Sequence, residues 1–218
     1  MKTAQWLMTQ QPSSRSQDCP WHVRATKELL PLIKATGART AVDLGSGEPP
    51  SMLKVMLEGQ EIRITTLDLL ACADVRADLG FLPFRENAFG IAIARHSLEH
   101  CPAPLLALRE MARVATWSLV VVPEMAPIWQ YWAGHFSVFP CLVWERLFQI
   151  AGLKIAFFNE GDFTEPNANA RRIEWRWLLC RYNGAEGPYE LNGHHLGRYA
   201  LPSREGWQPG GYLLEEEE

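Results

Sequence analysis

Three groups of residues have the types and spacing to do chemistry. The first is Val42-Asp43-Leu44-Gly45-Ser46-Gly47, an apolar segment running into a glycine turn. Glycines there let the backbone turn tightly and approach a ligand, and a following helix offers unpaired amides. A strand-to-helix turn that binds nothing uses the same residues, as do dinucleotide enzymes. The second is Asp68, followed by Leu69, at the end of the next apolar segment. It lies about 20 residues past the glycines, where a carboxylate can accept hydrogen bonds from both ribose hydroxyls of an adenosine. The third comprises His100, Glu124 and His135, each beyond the end of an expected strand. An imidazole titrates near neutrality, as a general base should, and a carboxylate can take a proton too. Each has a plainer reading: His100 as a helix cap, Glu124 as the fixer of a turn, His135 as packing among Tyr131, Trp132 and Phe136.

The elements that must position these groups follow from periodicity. Apolar residues recur at helical spacing from Trp21 to about Ala35, and Gly37 offers a stop. Strands are expected at Thr40 to Leu44, Ile62 to Leu69, Val75 to Leu79, Phe89 to Ala94 and Trp117 to Val122. Helices are expected from Pro49-Pro50 through Leu57, from Ala103 to Val114 and from Leu142 to Ala151. The unbroken apolar run at Trp117 to Val122 suits a strand buried on both faces of a parallel sheet. Lys154 to Phe158 and Arg172 to Tyr182 read as two strands joined without a helix, an antiparallel pair closing the sheet. In the second of these, Trp175 and Trp177 alternate with Glu174 and Arg176, and the tryptophans read as core. Strands alternating with helices predict a doubly wound, mostly parallel α/β sheet of seven strands with an antiparallel last strand.

Around this domain, expected over residues 20–183, lie a polar arm at 1–19 and a glycine- and proline-rich extension at 184–218. Residues 125–139 form an aromatic insertion, an apolar ring-lined cover for a substrate or rings packed on the sheet.

Bulk properties narrow the function. A net charge of -4 and a pI near 5.9 argue against a phosphate-tracking surface, so no nucleic-acid partner is expected. Five scattered cysteines without a C-x-x-C pair suit reduced thiols and indicate neither a disulfide framework nor a zinc site; no metal is expected. The sequence has no signal-like start and no spanning apolar run, which predicts a cytoplasmic protein without a membrane partner.

Further motifs occur in order: Ala77-Asp78-Leu79, Leu82-Pro83-Phe84, Phe89-Gly90-Ile91-Ala92 and Ser97-Leu98-Glu99-His100, then Leu108-Arg109-Glu110-Met111-Ala112-Arg113-Val114 and Val122-Pro123-Glu124. Over about residues 39 to 124 the sequence resembles the class I S-adenosylmethionine-dependent methyltransferases, especially the branch of small-molecule enzymes with an L-P-F … L-E-H signature. The resemblance implies a Rossmann-like fold, S-adenosylmethionine as cofactor and a small-molecule methyl acceptor. It places Asp43, Gly45, Ser46 and Gly47 at the loop under the methionine part and Asp68 and Leu69 at the ribose. It places Asp78 at the adenine amino group with the Leu79 amide facing the ring, and Arg95 and His96 near the sulfonium. The family's third glycine is Pro49 here, its aspartate after Phe89 is Gly90, and its Pro-Gly-Gly before the fifth strand is Ala115-Thr116-Trp117. These departures leave open a non-catalytic relative that keeps the fold as a binding or partner module. A nicotinamide-dependent reductase shares the glycine turn and the acid, but the Tyr-x-x-x-Lys of the short-chain type is lacking. Nucleic-acid methyltransferase motifs are also absent from their positions: Arg95-His96-Ser97-Leu98 follows the fourth strand instead.

Overall fold

The computed structural model describes residues 20–47, 51–70, 72–125, 134–162, 164 and 172–182. The arm 1–19, Pro49-Pro50, most of the aromatic insertion including Tyr131 and Trp132, most of the polar loop before the last strand, and the extension 184–218 lie outside these residues.

Chain order is α1 (Pro20–Lys27), α2 (Leu30–Ala35), β1 (Thr40–Leu44), α3 (Met52–Glu58), β2 (Arg63–Asp68), β3 (Val75–Arg76), β4 (Phe89–Arg95), a single 3-10 turn (Leu98–His100), α4 (Pro104–Val114), β5 (Ala115–Pro123), α5 (Cys141–Ile150), β6 (Leu153–Asp162) and β7 (Ile173–Arg181). The expected first helix is two helices. Pro31 sits in the first turn of α2, where its missing amide costs nothing, but it could not continue a helix running through from α1.

The seven strands run in the order β3-β2-β1-β4-β5-β7-β6. β1 pairs parallel with β2 and β4, and β4 with β5, while β7 is antiparallel to both β5 and β6. This is the expected doubly wound sheet with its last strand reversed. Insertion of β7 between β5 and β6 makes it an interior strand. Both of its faces are therefore covered, and its alternation does not produce a wet side: Trp177, Glu174 and Arg176 are all buried.

Two apolar layers sandwich the sheet. One gathers Val42, Leu44, Leu108, Met111, Trp144, Phe148 and Trp177; the other gathers Leu29, Ile33, Leu57, Ile91, Ile93, Leu119 and Leu178. Phe139, the last ring of the expected insertion, packs on Trp144 with centroids 5.4 Å apart and so belongs to the core. Gly90, which departs from the family pattern, has a local reason. A Cβ there would stand 2.8 Å from that of Ala38, and the Gly90 amide donates to Thr40 Oγ1 at 2.9 Å. The position is closed by packing at the start of β4, away from the strand ends where open α/β sheets bind ligands. None of the described helices is long and apolar enough to cross a membrane.

Candidate functional site

The parallel strands β1, β2 and β4 end together, and the residues just beyond them build the site. Asp43, near the end of β1, is 5% exposed and accepts from Ser51 Oγ at 2.7 Å. Ser51 also caps α3, accepting from the Lys54 amide at 3.2 Å, so one hydroxyl ties the strand end to the next helix. Burial pushes the Asp43 carboxyl up to about 6, against the Ser51 bond and the Arg95 charge, with Asp68 adding a little.

The turn itself is pinned to β2. Gly45 and Ser46 donate to the Leu67 carbonyl at 2.8 and 3.2 Å. The Gly47 amide donates to Asp68 Oδ2 at 2.8 Å, and the Leu70 amide to Asp68 Oδ1 at 3.0 Å. Asp68 thus holds the glycine turn in place. Gly45 and Gly47 have φ of +75° and +69°, the left-handed region that glycine adopts without a Cβ penalty. At Gly45 the bare side faces Ser97, whose Cβ a side chain would overlap. That glycine therefore serves the close approach of the β1 and β4 ends. Leu69 is partly exposed, Leu79 half-buried, and Asp78 exposed with its Oδ1 accepting from the Gly80 amide at 2.7 Å.

Arg95 and His96, expected near the reactive end of a cofactor, belong to a buried ion network. His96 has a φ of +50°, unusual for a residue with a Cβ. Its amide donates to Val121 at 2.9 Å, and its Nε2 and Nδ1 stand 2.7 Å from Glu174 Oε2 and 3.3 Å from Glu99 Oε1. Glu174 in turn takes Arg176 Nε at 2.6 Å, and Arg176 reaches Glu28 at 2.9 Å. Burial would raise the Glu174 carboxyl, but the His96 bond and the charges of His96, Arg95 and Arg176 outweigh it and hold it down at about 2. Burial would likewise lower His96, yet its bonds to Glu174 and Glu99 keep it above its ordinary value. The imidazole therefore sits between two carboxylates that favour its charged form.

Of the three proton-transfer groups, the structure brings two together. His100 does not cap α4, whose N-cap Ala103 has no side-chain bond. Its Nδ1 lies 2.9 Å from the Gly134 carbonyl, and its ring meets that of His135 at a centroid distance of 4.6 Å. Glu124 is half-buried at the end of β5, its amide donating to Ile173 at 2.9 Å, and stands outside that pair. Sequence reasoning missed Glu99, Glu174 and Arg176. The available signal was a pair of charges inside a strand whose neighbours are all apolar.

Residues 42–116 match the family model described as a methyltransferase domain. No curated protein matches the chain. Among solved structures the fold is similar to 1,6-didemethyltoxoflavin-N1-methyltransferase of Burkholderia thailandensis, solved with 1,6-didemethyltoxoflavin and S-adenosylhomocysteine bound: 16% identity over 78% of this chain and 82% of that one, TM-score 0.58. It is also similar to a S-adenosylmethionine-dependent methyltransferase of Methanosarcina mazei, with 13% identity, 70% and 98% coverage and a TM-score of 0.55. A third is the complex between the Haloferax volcanii Trm112 methyltransferase activator and a methyltransferase: 14% identity, 76% and 96% coverage, TM-score 0.58.

Proposed function

We propose that the chain is a class I S-adenosylmethionine-dependent methyltransferase that transfers the sulfonium methyl of the cofactor to a small-molecule acceptor, a reading supported by the methyltransferase-domain match over residues 42–116. The observation that carries this reading is the pair of carboxylates, Asp43 and Asp68, flanking the glycine turn. A turn bordered by two acids repels a diphosphate and suits a ligand with a cationic head, as an amino-acid sulfonium has. Asp43 with Gly45, Ser46 and Gly47 would hold the methionine part, Asp68 and Leu69 the ribose, and Asp78 and Leu79 the adenine. Arg95 and His96 would fix the floor beneath the sulfonium through their buried partners rather than touch it.

The cofactor supplies an already activated methyl group, so the protein's tasks are alignment and exclusion of water. His100 and His135, at the C-terminal side of β4, stand on the acceptor side, with Glu124 beyond β5. A small acceptor is supported by the net charge of -4, which disfavours a polyanion. It also fits the small molecule bound by the Burkholderia relative.

The test follows from Asp43. A carboxyl raised from 3.8 to about 6 carries a stabilising contribution that is full below the lower value and lost as pH rises through the upper one. A bound ammonium or sulfonium favours the ionised form, so binding and deprotonation are coupled. Affinity for S-adenosylhomocysteine should therefore rise about tenfold between pH 5 and pH 7, and calorimetry in buffers of different ionisation enthalpy should show proton release near pH 6. An affinity that is flat or falls over this range would remove Asp43 from the cofactor's cationic end.

A further inference from the structure

We propose that Glu99, His100 and His135 bind a divalent first-row transition-metal ion. One ligand atom from each of the three residues lies within 4.8 Å of the others. Ligands about 2.1 Å from a shared ion stand about 3.4 Å apart in a tetrahedral arrangement, so modest side-chain rotation closes the set. Backbone bonds already align the two contributing segments. The amides of Phe136 and Ser137 donate to the Glu99 carbonyl at 2.8 and 3.0 Å, and Ser137 Oγ donates to the Cys101 carbonyl at 2.7 Å.

Three observations point to an ion rather than to packing. A carbonyl can only accept, so the His100 Nδ1 facing Gly134 carries the hydrogen, and Nε2 is the ring nitrogen left to meet a metal. Metal-binding histidines are commonly oriented in this way, by donating their other nitrogen to an oxygen. Glu99 is 1% exposed, and its two oxygens differ: Oε1 faces His96, whereas Oε2 is buried with no hydrogen-bond partner. A buried carboxylate oxygen without a donor is costly, and a cation at the convergence point would relieve it. Finally, the His100 and His135 rings meet edge to face at 4.6 Å, so two imidazoles converge on the same point beside Glu99.

Two imidazoles and a carboxylate select zinc-, cobalt- or iron-like ions over calcium or magnesium. No cysteine takes part, which is why the cysteine pattern gave no hint of it. Three protein ligands leave at least one coordination position open, which an acceptor oxygen or nitrogen could fill. This last consequence, unlike the site itself, rests on the methyltransferase reading.

The full-length chain, dialysed against a chelator, should be titrated with cobalt(II) alone, followed by calorimetry and by the visible absorption of the ion. One ion per chain is expected. His135→Ala, His100→Ala and Glu99→Gln should each weaken it on the order of tenfold or more. His135→Ala carries the decision if the buried variant fails to fold, because the bonds that hold its segment come from neighbouring residues. Its metal-free melting temperature should match that of the parent. Absence of stoichiometric binding, or an affinity unchanged in His135→Ala and so owed to His22, His194 or His195, overturns the proposal. Titrating the same chelated protein with S-adenosylhomocysteine separates the two readings: nucleoside binding without cobalt binding defeats the metal site alone, and the reverse defeats the cofactor assignment alone.

Discussion

Glu174→Ala should lower the unfolding free energy by about 3–5 kcal/mol, the cost of removing one partner from a buried ion pair. Glu174 is fully buried on β7 and receives both His96 Nε2 and Arg176 Nε. Its loss strands those groups beside Arg95 in a largely buried site. Arg176 keeps only Glu28, whose side chain is 45% exposed and correspondingly screened. Room for the guanidinium is also built in, because any Cβ at Gly161 on β6 would overlap it.

The pH dependence has a defined sign. Glu174, held at about 2 against an ordinary 4.5, contributes stability that is full above the ordinary value and lost as pH falls toward the depressed one. His96, raised above 6.5, contributes fully below that value and loses its share as pH climbs through the raised one. Both contributions are complete between about pH 4.5 and 6.5, and urea unfolding across pH should show Glu174→Ala losing most in that window. A loss under 1 kcal/mol throughout would mean that water or a shift of β7 satisfies the stranded cations.

Asp68→Ala should weaken S-adenosylhomocysteine binding by about 1.5–3 kcal/mol through the ribose hydroxyls alone, a loss of roughly 10- to 150-fold. The structure adds a second contribution, because Asp68 also clamps the Gly47 and Leu70 amides. A drop in affinity by itself therefore does not separate ribose recognition from loss of the turn. A double-mutant cycle does. The parent should discriminate against the 2′-deoxyribose analogue, and Asp68→Ala should not. Equal discrimination by both proteins would confine Asp68 to holding the turn.

How far the sequence reached depended on the range of the interactions involved. The strands carrying the glycine turn and Asp68 were legible because each is a local apolar run ended by a turn, and the parallel order follows from alternation with helices. The single reversed strand was legible from two strands joined without a helix between them. What local pattern could not convey is that β7 enters between β5 and β6. That placement brings Glu174 against His96, 78 positions away, and buries both faces of a strand whose alternation suggests one wet side. The same limit hid the joining of His135 to Glu99 and His100, since the contact is made by backbone bonds from residues 136 and 137. Pro31, by contrast, is a local signal: a proline within a helical pattern marks a break.

The central claim is that the glycine turn and its two acids bind S-adenosylmethionine and its product, with no place for a dinucleotide. The most direct measurement is a paired calorimetric titration of the full chain at pH 7.5 with S-adenosylhomocysteine and with NADH. The account predicts one S-adenosylhomocysteine per chain with a dissociation constant on the order of micromolar, about -8 kcal/mol, and no heat from NADH. Saturable NADH binding, or no S-adenosylhomocysteine binding by a folded protein at millimolar ligand, would contradict it.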